Sequence, residues 1–305
     1  MGLSGLPRID MRPCEVCNRT DAEQWVAGPD YEYGTESATL WRCRHCGHVQ
    51  IGEFGDFASI YPTTYYTQNP QSPIHVRGYL RRKQIQVAAA RVAKLRPGRL
   101  LDVGCGDMGL LCHLQYTAAR NRLVGLDYVH PGFKHPGVDF HTYDVNRGLP
   151  TIGQFDLVLM RQLIEHVRYP RTLLVSTHLL LDRKGQLLIE TPSPTGLDYR
   201  LGKRLWGGYH IPRHFHIFSR DGLGQLAKES GFKVVDRGYS ISPGFWILTL
   251  RNMLGFRSDR FSGTALDWIL SFRCLPTVAL FSAIDRLRIA MGLSTSNQFV
   301  LLEKE

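Results

Sequence analysis

An apolar run that ends in three closely spaced glycines constrains this chain more than any other feature. Residues 100–109 read L-L-D-V-G-C-G-D-M-G, so Gly104, Gly106 and Gly109 form G-x-G-x-x-G directly after a predicted strand. A backbone that turns sharply out of a strand and lets a ligand approach needs residues without a Cβ. Apolar runs of strand length then alternate with helix-length segments. The predicted strands are 99–103, 122–127, 139–143, 155–160, 186–190 and 233–237, and 297–302 closes the chain. Strands joined by helices predict an α/β fold whose mostly parallel sheet is covered on both faces. Such sheets bind ligands at the carboxyl ends of their strands.

The glycines alone suit a dinucleotide equally well. Three acids separate the alternatives. Asp102 stands two residues before the first glycine, where a carboxylate crowds a pyrophosphate but can hold an ammonium group. Asp127 ends the second strand, 23 residues after Gly104, where it can accept from both ribose hydroxyls. Asp144 follows the third strand, where it can accept from an adenine amino group. A ligand with ammonium, ribose and adenine but no phosphates is S-adenosylmethionine (SAM).

The front of the chain carries a second pattern. Cys14 and Cys17 frame C-E-V-C, Cys43 and Cys46 frame C-R-H-C, and 25 residues separate the two knuckles. Paired C-x2-C knuckles set four thiolates at the corners of a tetrahedron, which suits a structural Zn2+ with no open position. Each knuckle runs into a turn residue, Asn18 or Gly47, while His48, a spare-ligand candidate, is expected at the surface. The expected division is a zinc ribbon over 1–57, a linker and basic helix over 58–98, and an α/β domain over 99–305. Ile85, Ala88, Ala89, Val92 and Leu95 recur at helical spacing, and Pro97-Gly98 ends that helix.

The net charge of +10 is unevenly spread: residues 57–101 hold eight bases and no acid. Such a segment attracts nucleic acid, anionic lipid or a phosphorylated substrate, or is simply a solvated helix face. The odd cysteine count, seven, and the lack of an apolar h-region predict a reducing, cytoplasmic setting. Near the C-terminus the longest uncharged stretch, 289–302, has 14 residues, short of the roughly 20 a spanning helix needs.

D-V-G-C-G-D-M-G, L-D-Y, Y-D-V and F-D-L-V-L-M-R-Q-L-I-E-H-V resemble the successive motifs of class I SAM-dependent methyltransferases, over roughly 99–240 and the final strand. The resemblance implies a Rossmann-like sheet, mostly parallel with its last strand antiparallel. It also implies SAM contacts from Asp102, Gly104, Gly106, Gly109, Asp127, Tyr128, Asp144 and Val145. A four-cysteine ribbon, then Y-P-T-T-Y-Y, then this core, is similar to the sugar C-methyltransferases of antibiotic deoxysugar pathways and to methyltransferases of bacterial polysaccharide and lipid-glycan pathways. Tyr65 and Tyr66 resemble tyrosines that fold over the pocket in that family.

Methyl transfer requires an aligned acceptor and, in many cases, removal of its proton, a task that suits histidine. His166 follows the fourth strand, and His214 lies in Y-H-I-P-R-H-F-H-I-F-S after the fifth. Matched to the sugar enzymes on H-x-x-x-F-S, His214 takes the place of the catalytic histidine and Arg213 that of a glutamate. Carbon methylation beside a ketone needs a base that arginine cannot be, so O-transfer gains ground. Arg213 with Lys203 and Arg204 is instead expected to clamp a phosphate or carboxylate.

The 59 residues 238–296 form an excursion of apolar segments interleaved with arginines, expected as a lid, a dimer contact or a peripheral membrane surface at the inner face. The expected activity is methylation of a small-molecule or glycan-linked acceptor, with an anionic carrier favoured. RNA is disfavoured as partner because the fourth strand leads into R-Q-L-I-E-H and not an N-P-P-Y type motif. A module that binds SAM without turnover is the other alternative, and the oligomeric state is left open.

Overall fold

The computed structural model describes residues 13–30, 36–52, 60, 76–95, 98–117, 122–130, 132, 135–255 and 263–305. Three strands lead: β1 (Ala22–Gly28), β2 (Ala38–Cys43) and β3 (Val49–Ile51), joined antiparallel. Helix α1 (Val76–Val92) follows, then β4 (Arg99–Val103), α2 (Gly109–Thr117), β5 (Arg122–Asp127), β6 (Asp139–Thr142), β7 (Phe155–Arg161), α3 (Pro170–Leu180) and β8 (Leu181–Pro192). The last third holds α4 (Leu197–Gly202), β9 (His216–Ile217), α5 (Arg220–Glu229), β10 (Phe232–Ser240), α6 (Pro243–Met253), α7 (Ala265–Ile269), α8 (Leu275–Ala290) and β11 (Asn297–Lys304).

The main sheet has seven strands in the order β10-β11-β8-β7-β4-β5-β6. Strands β4 to β8 run parallel, and β11 enters antiparallel between β8 and β10. This is the Rossmann-like arrangement anticipated from the motifs. The chain order reverses between β4 and β7, which opens a crevice at their carboxyl ends. Successive side chains of a strand point to opposite faces, and in β4 both faces are dry. Leu100 packs towards Ala88, Ala89 and Val92 of α1 and Leu111 of α2; Leu101 packs towards Leu173 and Leu174 of α3 and Leu223 of α5. Burial on both faces is why the strands read as unbroken apolar runs.

The predicted strands are all present; 99–103 and 122–127 match to the residue, and the others differ at one or both ends. The fifth extends over Leu181–Pro192 because it pairs with β7 and, for most of its length, with β11. The two-residue strand β9 has no periodicity to read, yet it pairs with β3 and completes a second, four-stranded sheet, β1-β2-β3-β9. That pairing buries His48 against His216, with Nε2 of one 3.0 Å from Nδ1 of the other, and against Phe218. His48 is therefore interior, not the surface residue its neighbourhood suggests.

The basic segment is partly neutralised from within. Arg81 pairs with Asp107, Arg91 with Glu190, and Arg99 with Asp182 and Asp156. These arginines tie α1 and β4 to the body, which weakens the reading of that segment as a nucleic-acid surface.

The late excursion folds back on the body. Trp246 stacks on Phe281 at 5.2 Å, and the Asp285 carboxylate accepts from Trp246 Nε1 at 3.0 Å and Ser242 N at 2.7 Å. A Cβ on Gly207 would come within 2.4 Å of Leu248 Cβ, so glycine allows α6 to lie against the 207–209 turn. Among the described residues, no helix is long and apolar enough to cross a membrane.

Candidate active site

The three glycines at the crevice do three different things. Gly104 has φ +75°, and a Cβ there would press on Leu163 Cδ1 at 2.9 Å. Gly106 has φ +56° with nothing within 4 Å of where its Cβ would be, which leaves space for a ligand against the backbone. Gly109 opens α2, and a Cβ there would meet Ile85 Cδ1 of α1 at 2.9 Å.

The three acids follow in strand order. Asp102, in β4, is 4% exposed, and burial raises its carboxyl to about 7 while Arg161 at the end of β7 opposes the rise. Asp127, ending β5, accepts from Gly106 N at 2.8 Å through one oxygen and from Tyr128 N at 2.7 Å through the other. Its carboxylate thus braces the glycine loop. Asp144, after β6, caps the short helix Val145–Arg147, accepting from Asn146 N at 3.0 Å. Val145 packs on the core, and Tyr128 is half exposed beside the crevice.

A histidine cluster lies beyond the end of β7. His166 and His214 meet edge to face with ring centroids 4.7 Å apart, and His210 lies 4.9 Å from His214. Nδ1 of His214 lies 2.7 Å from Gly208 O and Nδ1 of His166 lies 3.0 Å from Arg213 O. A carbonyl only accepts, so each Nδ1 carries the proton and each Nε2 the lone pair. Burial keeps both rings neutral, depressing His166 to about 3 and His214 well below the usual range. Glu165 is wholly buried; it accepts from Thr191 Oγ1 at 2.9 Å, and burial raises its carboxyl to about 8.

Arg213 corrects an expectation. It is 0% exposed and donates to both Asp30 oxygens at 2.7 and 2.9 Å and through Nε to His210 Nε2 at 3.0 Å. An arginine committed to a buried carboxylate is no anion clamp for a substrate. Asp30 escaped the sequence reading because no local pattern marks it. Tyr65 and Tyr66 lie outside the described residues.

Beside this cluster a cavity of about 1120 Å³ opens between β1, the 204–211 turn and the late helices. Trp25, Tyr209, His210 and Trp268 line it together with Arg204 and Arg273.

The four cysteines converge at the front. Cys14 and Cys46 sulfurs are 3.5 Å apart, as are those of Cys17 and Cys43, and one atom from each lies within 4.8 Å of all the others. Zn–S arms of ~2.3 Å place tetrahedral sulfurs about 3.8 Å apart, so the set fits that ion. Both knuckles close alike: Asn18 N donates to Cys14 O at 2.7 Å and Gly47 N to Cys43 O at 2.9 Å. Asn18 (φ 57°) and Gly47 (φ 71°) both take the left-handed conformation. Burial raises the Cys14 thiol to about 11 and pushes Cys46 up as well, whereas hydrogen bonds from the main chain of residues 45 and 46 bring Cys43 down against its burial; a divalent cation would hold the raised pair as thiolates.

The Methyltransferase domain family matches residues 75–237. The ubiquinone biosynthesis O-methyltransferases of Xanthomonas campestris pv. campestris (strain B100) and Ruegeria pomeroyi are each 30% identical, over 49% and 48% of this chain and 64% and 65% of the relative. The chain thus spans slightly under two thirds of the length of these curated relatives. A chain of the Haloferax volcanii complex between the Trm112 methyltransferase activator and a methyltransferase superposes with TM-score 0.50 at 13% identity, covering 83% of this chain and 99% of that one. That likeness concerns the fold.

Proposed function

The chain belongs to the methyltransferase-domain family, and from that premise we propose that it methylates a hydroxyl of a small-molecule or glycan-linked acceptor, with SAM as donor. The observation that carries this reading is the succession of carboxyl groups, Asp102, Asp127 and Asp144, at the carboxyl ends of three adjacent strands beside an open Gly106. That order fits an ammonium, a ribose and an adenine in turn, with Gly104, Gly109, Tyr128 and Val145 shaping the walls.

The sulfonium supplies an electrophilic methyl carbon, and S-adenosylhomocysteine leaves with the electron pair of the broken C–S bond. The acceptor oxygen forms the new C–O bond in line with it. Nε2 of His214, with Nδ1 anchored on Gly208, takes the acceptor proton, and His166 beside it is the alternative base. General-base help of this kind is worth about 10²–10⁴-fold. Oxygen is preferred to carbon because Arg213, paired with Asp30, stands where the sugar C-methyltransferases keep a glutamate.

The cavity favours a glycan-linked, anionic acceptor: the half-exposed Trp268 suits a sugar ring, and Arg204 and Arg273 suit a phosphate or carboxylate. An aromatic acceptor is the second reading, favoured by the ubiquinone-pathway relatives. The Cys14, Cys17, Cys43 and Cys46 set is assigned to a structural zinc, and the chain is divided as 1–57, 58–98 and 99–305. A cytoplasmic setting with peripheral membrane contact through 238–296 draws support from exposed Leu266, Trp268, Leu280 and Leu287. Sedimentation with anionic vesicles, lost on Trp268→Ser and Leu280→Ser together, tests that contact; equal sedimentation of the variant removes it.

The central experiment supplies SAM and fractionated cell extract and follows S-adenosylhomocysteine release. The wild type should turn over with at least one fraction. His214→Ala should lose about 10²–10⁴-fold in kcat, with the KM for SAM nearly unchanged. A His214→Ala variant as fast as wild type removes that base, and no turnover with any fraction leaves a binding module.

A further inference from the structure

The histidine cluster has a property that general-base chemistry does not use. One ligand atom each from Glu165, His166 and His214 lies within 4.8 Å of the other two, at the end of β7. Glu165 is 0% exposed; Thr191 satisfies Oε2, while Oε1 is buried with no hydrogen-bond partner among the described residues. A buried carboxyl oxygen without a partner is costly in a folded protein, and a bound cation, displacing the proton that burial favours, would give it one.

The histidines point the same way. Both turn Nδ1 to a main-chain carbonyl, Gly208 O and Arg213 O, leaving the lone pair on Nε2. Metal-bound imidazoles are held by this outer hydrogen bond, which fixes tautomer and ring orientation. Two imidazoles and one carboxylate are a donor set for Zn2+, Fe2+ or Mn2+, and small side-chain rotations bring such atoms to arms of ~2.0–2.2 Å. Arg213, whose charge is felt by both histidines, is paired with Asp30.

We propose that Glu165, His166 and His214 bind one divalent first-row metal ion, three protein ligands leaving at least one coordination position to a further ligand. The site rests on the methyltransferase reading and deepens it. A hydroxyl bound to the ion loses its proton to water near neutral pH; its oxygen then bonds to the methyl carbon while the C–S pair returns to sulfur. With the ion bound, His166 and His214 would serve as its ligands, and the ion would take the place of the general base.

The test counts metal in the full-length protein. Wild type, Glu165→Gln and His214→Ala are incubated with MnCl2 or ZnCl2, desalted, and analysed by mass spectrometry of the elements. Wild type should carry about two equivalents per chain, one on the four cysteines, and each variant about one. Glu165→Gln keeps the shape and the Thr191 contact, and His214→Ala serves if the glutamine variant misfolds. One equivalent in wild type, or two in both variants, overturns the proposal. Thermal stabilisation by S-adenosylhomocysteine is read in parallel on all three proteins. If it persists while the second metal is absent, the ion site fails and the methyltransferase reading stands; if it is absent throughout, the latter fails.

Discussion

Asp127→Ala should abolish the thermal stabilisation that S-adenosylhomocysteine gives the wild-type protein. The residue acts twice. Its carboxylate braces the glycine loop through Gly106 N and Tyr128 N, and it ends the strand where a ribose would lie. Hydrogen bonds to a charged acceptor contribute about 1.5–3 kcal/mol each, so two lost ribose contacts weaken binding by about 10²–10⁴-fold. At a ligand concentration about 100 times Kd the wild type gains about 2.7 kcal/mol, several degrees in Tm for a chain of this size. Asp127→Asn keeps a neutral oxygen and should fall between the two. Differential scanning fluorimetry with and without ligand reads all three, and unchanged stabilisation of the alanine variant would remove the donor-site assignment.

Loss of the metal proposed for Cys14, Cys17, Cys43 and Cys46 should have the larger structural effect. The small sheet is four short strands whose buried residues, Val26, Leu40, Val49, Ile51 and Ile217 among them, pack with Trp206, Tyr209 and Phe215 in a cluster apart from the main core. Metal binding to a four-cysteine set supplies about 10–16 kcal/mol of apparent folding free energy. Cys46→Ser, or a strong chelator, should release about one zinc per chain and open the described segments 13–30 and 36–52 to protease. The damage should reach the active site, because Asp30 follows β1 and neutralises Arg213. A buried arginine left without its carboxylate costs about 3–5 kcal/mol, and the same arginine holds His210. Methyl transfer should therefore fall together with zinc content. A metal-free wild type with unaltered Tm and intact activity would refute the assignment.

Legibility followed distance along the chain. The glycine loop, each strand run and each single knuckle lie within about a dozen residues, where backbone preference and side-chain alternation leave a local imprint. Hence Gly104 and Gly106 could be placed on a turn, and the five parallel strands on a sheet, before any coordinates. Glu165 was visible as part of E-H, but its orphaned oxygen was not, since that depends on what packs around it.

Residue order alone settled the sheet, the loop at its crevice and the four thiols at the front, because each is written in neighbouring positions with a fixed period. Three-dimensional packing settled the rest. It joined Asp30 to Arg213 across 183 positions and His48 to His216 across 168, and it turned an expected anion clamp into an internal ion pair. Such partners are chosen by which groups are left unsatisfied when layers close over one another, and no local pattern encodes that demand.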